Sequence, residues 1–450
     1  MTLKSHPSDK EHLKYLEKFN INQRYALFTI ILCILLDSFG YSMVLPLLPG
    51  IAKDFGASDF MVGILISSNA LSALIFVPIW GKLSDKYGRK PILIISQGGT
   101  ALAFFFLGLS NSIYFILFGR ILDGMFGGQI PAIRAYVTDV TTPQTRASHM
   151  SKFMVGYTGG MIAGPIIGGF LGVINWRIPF FFASVLSVFA IFLTKIILVE
   201  SMPKERRVEI QQRLQSIHLN SGIKRSIWNG EVISRLIQTF LISLISSMFM
   251  SSYALVLNKR YGANASVIGL VMAVAGVGLL IYGLILIRPI LRKVGEKRIL
   301  IITFILAIII FIIYPYLYEF WMVFPFVLVF AFMLALMRPL ISANITKAVD
   351  PDRQGVVSGW AVNLQSSSQV IGPLLSTGFL QIGGLAISVI YLDSYELIGF
   401  MNVILAVILF LVGYFDVKLH PKLYAYEKIR RKRLEVIKRR IPNKEEIEIE

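Results

Sequence analysis

Charge is what this chain has least of. Only 16% of its 450 residues are Asp, Glu, Lys or Arg, against about a quarter in soluble domains. Hydrophobic residues make up 55% and the mean hydropathy is +0.68, which excludes an ordinary soluble fold. One cysteine, Cys33, excludes an intrachain disulfide and leaves the redox compartment unmarked. There is no Gly-x-x-x-x-Gly-Lys-Ser/Thr loop, which argues against an ATP-driven pump. Without a His-Glu-x-x-His motif or a Cys/His cluster, no metal site, no cofactor and no enzyme chemistry is implied. The five histidines, at 6, 12, 149, 218 and 420, fall in polar segments or at the edge of an apolar one. Proton chemistry inside a membrane is therefore left to carboxylates.

What is present is a series of long apolar runs. A spanning helix needs about 20 residues. Twelve candidate spans read as 25–48, 60–80, 91–110, 113–138, 150–173, 178–199, 231–257, 265–288, 299–318, 321–346, 356–380 and 395–417. The expected fold class is an all-α polytopic membrane protein of two pseudo-symmetric six-helix bundles, 25–199 and 231–417. Segment 1–24 is polar and unlike a cleavable signal, 200–230 is a connecting loop, and 418–450 is a basic tail. Lys428 to Arg440 has a basic amphipathic pattern, equally readable as a membrane-surface helix or a solvated tail. The net charge of +18 gathers at one set of span ends, including Lys82–Lys90, Arg146, Lys152, Arg288–Arg298, Lys347 and Arg353. That asymmetry predicts a multi-pass cell-membrane protein with both termini cytoplasmic, and no nucleic-acid partner.

The two bundles are copies of one unit. Sliding the chain by 208 residues places Pro131 on Pro339, Thr138 on Thr346, Pro143 on Pro351, Gly164 on Gly372 and Pro165 on Pro373. Proline fixes φ and removes a donor, so a repeated ladder of prolines means repeated bends. In the fifth span Gly156, Gly160, Gly164, Gly168 and Gly172 recur every fourth residue, with Pro165 and Gly169 among them. They make one smooth helix face on which another backbone can pack closely. In the fourth span Arg120, Asp123, Gly127, Pro131 and Arg134 are spaced by three and four and form a candidate cavity stripe. Arg120 and Asp123 also suit plain mutual neutralisation. Tyr41, Arg235, Gln238 and Arg338 are further cavity candidates; side chains such as these also pack or snorkel.

The segment Gly81-Lys-Leu-Ser-Asp85-Lys-Tyr-Gly88-Arg89 resembles the signature loop of the major facilitator superfamily. Gly159-Gly-Met-Ile-Ala-Gly-Pro165-Ile-Ile-Gly-Gly169 resembles that superfamily's antiporter motif. Asp37-Ser-Phe-Gly40 followed by Pro46 and Pro49 is similar to the first helix of its tetracycline/proton and multidrug antiporters. Gly119-Arg120, Ala135-Tyr136, Asp139 and Arg146 extend the likeness; Asp123 departs from it, because a Gln is usual nearby. The resemblance implies that Gly81, Asp85, Gly88 and Arg89 form a conformational latch, degraded in the second copy where Arg292 falls near the Asp position. It also implies drug/proton exchange.

Asp37 is the expected proton carrier, with Asp123 and Arg120 beside it. At about 1.5 Å per residue from Tyr25, Asp37 lies ~18 Å along its helix, near the middle of a ~30 Å hydrocarbon core. There a proton and the positive end of a substrate compete for one charge. The expected function is proton-coupled export of small amphipathic compounds by alternating access. Expected partners are a small-molecule substrate, protons and the lipid bilayer, with the chain as a monomer. The alternatives are uptake or facilitated diffusion of a polar metabolite such as a sugar and, in another class, a nontransporting membrane receptor or sensor.

Overall fold

The computed structural model describes residues 14, 16–127, 129–208, 229–349, 354–387 and 390–420. The expected amphipathic segment in the tail and most of the central loop lie outside them. Within them, helix follows helix. The first bundle holds α1 (Gln23–Val44, continued by a short helix Leu48–Asp54), α2 (Asp59–Tyr87), α3 (Arg89–Gly108), α4 (in two pieces, Ile113–Met125 and Gln129–Val140), α5 (Pro143–Ile174) and α6 (Arg177–Ile197). The second holds α7 (Gly230–Tyr261), α8 (Ala265–Val294, with a π-helical stretch at Ile281–Leu286), α9 (Glu296–Ile313), α10 (Val323–Lys347), α11 (Gln354–Ile382) and α12 (Ser394–Leu419). Ten spans are long and apolar enough to cross a membrane by length and composition. The other two are α11, rich in Ser, Gln and Gly, and α4, which is broken.

The helix ends follow from local chemistry. The side chains of Asn22, Ser58, Ser112, Thr142 and Asn264 each accept a hydrogen bond from an orphan N–H of the helix that follows, and Asp393 with Glu396 closes a capping box on α12. Gly88 (φ 107°) and Gly295 (φ 86°) make the matching reversals between α2 and α3 and between α8 and α9.

Two features depart from the expected twelve plain helices. The fourth span consists of Ile113–Met125 and Gln129–Val140. Gly127 and Gly128 stand where the second copy has Ala335 and Leu336, and glycine costs a helix about 1 kcal/mol relative to alanine. The α10 counterpart therefore runs through unbroken. Freed carbonyls at the break find partners: Trp80 Nε1 donates to Met125 O at 2.6 Å, and Ser96 Oγ donates to Phe126 O. The second departure is an antiparallel hairpin before α12, Gly384–Ile387 paired with Ile390–Asp393, entered through Gly383 at φ 77°.

The glycine face of α5 packs along α1. A Cβ on Gly160 would lie 2.5 Å from Leu35 O, and one on Gly164 would lie 2.6 Å from Phe39 O; Gly156, Gly168 and Gly172 meet Ile31, Met43 and Leu47. In the second bundle α11 packs on α7 in the same way, with Ser368 Oγ donating to Phe240 O at 3.1 Å and Gly372 against Ser247 and Met248. Gly169 points elsewhere, to Ala265 and Ser266 of α8.

The bundles touch through α5 with α8 and α2 with α11. Both contacts seat a glycine on a proline carbonyl: Gly269 on Pro165, and Gly63 on Pro373, the two prolines being repeat partners. Asp59, 4% exposed at the start of α2, is held by Lys53 at 2.8 Å and by Lys259 of the second bundle. Gln381 accepts from Asp59 N at 2.9 Å. At the other end, among the described residues, nothing lies within 4 Å of a Cβ placed on Gly81, Gly355 or Gly359. Leu71 and Ile75, which continue the four-residue register of Gly63 and Ser67 on α2, are exposed. The bundles are thus closed at the Asp59 end and part toward the Asp85 end, leaving a cleft.

Candidate transport site

The break in α4 places its polar residues against α1. Asp37 Oδ1 accepts from Gln129 Nε2 at 2.9 Å, and the same amide nitrogen donates to Thr100 Oγ1 at 3.3 Å. Gln129 opens the second half-helix, so the amide that holds Asp37 belongs to the first residue of that helix. On the other side of the break, fully buried Arg120 reaches Asp123 Oδ2 at 3.3 Å, and Asn69 Nδ2 donates to that oxygen at 2.8 Å. Tyr41, one turn beyond Asp37, has its ring 5.8 Å from the Arg120 guanidinium carbon and so joins the two carboxylate groups into one cluster.

The expected stripe is not one helix face. Arg120 and Asp123 lie before the break, Gly127 in it, and Pro131 and exposed Arg134 after it. Spacing by three and four holds only while a helix is continuous, and this one ends at Met125 and restarts at Gln129. Arg338 of α10 is exposed. Arg235 and Gln238 do not face the cleft between the bundles. Arg235 is fully buried, with Nε 3.3 Å from Asp416 Oδ2 of α12 and Nη1 donating to Asn344 O at 3.0 Å, and Gln238 donates to the same carboxylate at 3.3 Å. Burial with a counter-charge inside the second bundle leaves them no free face. Tyr253 is also core, its ring 4.9 Å from that of Phe249.

The loop after α2 is tied inside its own bundle. Arg89 Nη1 is 2.6 Å from Asp85 and donates to Ser84 Oγ at 2.9 Å, while Nε reaches Asp139 at 3.2 Å. The Glu200 carboxylate caps α3, accepting from Arg89 N at 2.8 Å and Lys90 N at 3.0 Å, and it occupies the space a Cβ on Gly88 would need. The second copy is inverted in charge: Glu296 follows Gly295 as Arg89 follows Gly88, and it pairs at 2.8 Å with Lys347, the repeat partner of Asp139.

A family model described as Major Facilitator Superfamily matches residues 30–373 and 235–441. The chain belongs to that superfamily. It is 29% identical over 394 residues to tetracycline resistance protein, class H, of Pasteurella multocida, covering 87% of this chain and 96% of that protein. Multidrug resistance protein 2 of Bacillus subtilis (strain 168) is 27% identical over 393 residues, with 84% and 98% covered. Among solved structures, a bacterial homolog of the human lysosomal transporter Spinster, inward-facing and occupied, superposes with a TM-score of 0.71 at 14% identity, covering 89% of this chain and 98% of that one. The nucleoside transporter NupG superposes at 0.66 and 12% identity, with 87% and 99% covered. At such identities the structural likeness is one of fold. This member of the superfamily is a multi-pass membrane transporter.

Several residues around the transporter's cleft escape sequence reasoning. Gln129, Thr100 and Asn69 are neutral amides and hydroxyls, and nothing in their types marks them; for Gln129 the preceding glycine pair was the available signal. Asp59 and Lys259 sit 200 residues apart at span ends, where charges are commonplace. Lys347 and Glu296 could have been found by carrying Asp139 and Arg89 through the repeat.

Proposed function

We propose that this transporter exports small amphipathic compounds in exchange for protons, the bundles 25–199 and 231–417 rocking about the central cluster. The observation that carries the reading is Asp37. Among the described residues its carboxylate makes one hydrogen bond, to a neutral amide, beside an Arg120–Asp123 pair that is already neutralised. It is the acid left to trade a proton for a positive group on a substrate. The names of the relatives, tetracycline and multidrug resistance proteins, support export of such compounds. The distribution of Lys and Arg supports cytoplasmic termini, under which the cleft opens to the cytoplasm and the Asp59–Lys259 contact closes the outer side. In this arrangement Asp85 and Arg89 stand away from the second bundle, and a latch formed there belongs to the opposite, outward-open state.

The test is transport by purified protein in vesicles under an imposed pH gradient, across a compound panel. Asp37→Asn is expected to abolish gradient-driven export while sparing at least some binding, and Asp37→Glu to keep partial function with a shifted pH optimum. Uphill export by Asp37→Asn with wild-type pH dependence would place the carrier elsewhere, with Asp123 next to examine. Uptake of a polar solute driven by the same gradient would favour the symport alternative.

A further inference from the structure

The break in α4 leaves its second piece, Gln129–Val140, as a separate rod with a polar anchor at each end. At one end Gln129 Nε2 donates to Asp37 Oδ1 at 2.9 Å and to Thr100 Oγ1 at 3.3 Å. Ten residues on, ~15 Å away at about 1.5 Å per residue, Asp139 Oδ2 accepts from Arg89 Nε at 3.2 Å and from Ser201 Oγ at 3.0 Å. Arg89 in turn is 2.6 Å from Asp85. One buried face joins the two ends, made of Gln129, Ala132, Ile133, Tyr136, Val137 and Val140. Tyr136 also donates to Val199 O at 2.7 Å, beside the Glu200 that caps α3. The first piece of α4 is held separately: Arg120 pairs with Asp123, which accepts from Asn69 of α2. The second piece can therefore shift without carrying that pair.

A hydrogen bond to a carboxylate is roughly twice as strong as one between neutral groups. Uptake of a proton by Asp37 thus loosens its hold on Gln129, and a helix in a close-packed interior passes a displacement at one end to the other. We propose that this half-helix is a lever, with Gln129 as the positioning residue through which the charge on Asp37 sets the firmness of the Arg89–Asp139 joint and of the Asp85 loop. This deepens the export reading and rests on it for Asp37 as the residue that changes charge. The element that both ends bias is then named, which is what a claim of coupling between distant sites requires.

Amide hydrogen exchange of the purified transporter, followed by mass spectrometry at one fixed pD, reads the far end. The Arg89 and Lys90 amides, which donate to Glu200, report the loop. Asp37→Asn puts a neutral acceptor in place of the carboxylate and stands in for the protonated acid. It is expected to speed exchange of those amides about fivefold, the lower end of the usual range for coupled sites. Asp123→Asn, on the first piece, should leave them unchanged. In Gln129→Met, and again in Gln129→Ala in case one of the two fails to fold, adding Asp37→Asn should have no further effect. A purely structural role for Gln129 would raise exchange with either residue at position 37 and leave their difference intact. Equal exchange in the wild type and Asp37→Asn, a difference that persists at full size in the folded Gln129 variants, or the same acceleration by Asp123→Asn overturns the lever. Failure of the export reading is seen elsewhere, as uphill transport by Asp37→Asn with wild-type pH dependence, whereas the exchange comparison decides the lever by itself.

Discussion

Gly269 and Gly63 offer a way to move the transporter between its states without touching the cleft. A Cβ on Gly269 would run into the Pro165 carbonyl, 3.1 Å from its carbon and nearer still to its oxygen, and one on Gly63 would come 2.9 Å from Pro373 O. The Cβ on Gly63 would also meet the Thr377 side chain, but each site has a proline carbonyl in its way, and that backbone cannot rotate aside. Overpacking of this kind costs about 1–3 kcal/mol. The cost falls only on the arrangement in which α5 touches α8 and α2 touches α11 at this end. It therefore appears as a population shift of roughly 5- to 160-fold away from that arrangement. The two sites lie on separate interfaces, so the double alanine variant should shift further. Spin labels at Lys82 and Gly355, in a Cys33→Ala background, read the separation of the bundles at the open end. Gly269→Ala and Gly63→Ala are expected to move the distance distribution from long to short. Gly159→Ala, with nothing among the described residues within 4 Å of its new methyl, should leave it unchanged. Gly160→Ala, which strains α1 against α5 inside one bundle in either state, should lower the melting temperature with no change in the distribution. An unaltered distribution in folded Gly269→Ala and Gly63→Ala would refute the claim that these contacts hold the closed end.

Lys259→Glu places a second acid beside Asp59, leaving only Lys53 to answer two carboxylates. Faster labelling of a cysteine at Gln381 is the expected result, with recovery in Asp59→Lys/Lys259→Glu. Asp85→Asn should change the stability by no more than about 1 kcal/mol, because the Asp85 side chain is 67% exposed in its ion pair with Arg89. Export is nevertheless expected to fall as the balance of states changes, and undiminished transport at normal expression would reduce the loop to a topology signal.

The fold was legible because its signals are periodic. Apolar runs of spanning length mark the helices, and a constant offset of 208 between Pro165 and Pro373 reveals the duplication. The four-residue glycine spacing marks the α1-facing side of α5, since a helix converts sequence period directly into a face. The site was legible only in part. Asp37 stands out as an acid in an apolar run, but Gln129, which fixes its position, carries no charge to betray it. Arg235 was misplaced for a different reason: its counter-ion, Asp416, is 181 residues away on another helix, and no local spacing reports that distance. The stripe on the fourth span is divided because the helix that would carry it stops at Met125 and restarts at Gln129.

The second-copy latch shows why identity is a poor guide inside a duplicated chain. The expectation of a degraded motif rested on Arg292 standing near the place of an Asp. Yet an ion pair requires opposite charges at two positions and is indifferent to which position carries which. Arg89–Asp139 and Glu296–Lys347 join the same pairs of helix ends, α3 to α4 and α9 to α10, after the same glycine reversal. Reversing one charge alone would have left a partly buried group facing its like, so the two positions are constrained together even where each differs from its copy. The repeat thus preserves the joint while inverting its polarity. Comparison of the copies by residue type hides this constraint, and comparison by pairwise charge product recovers it.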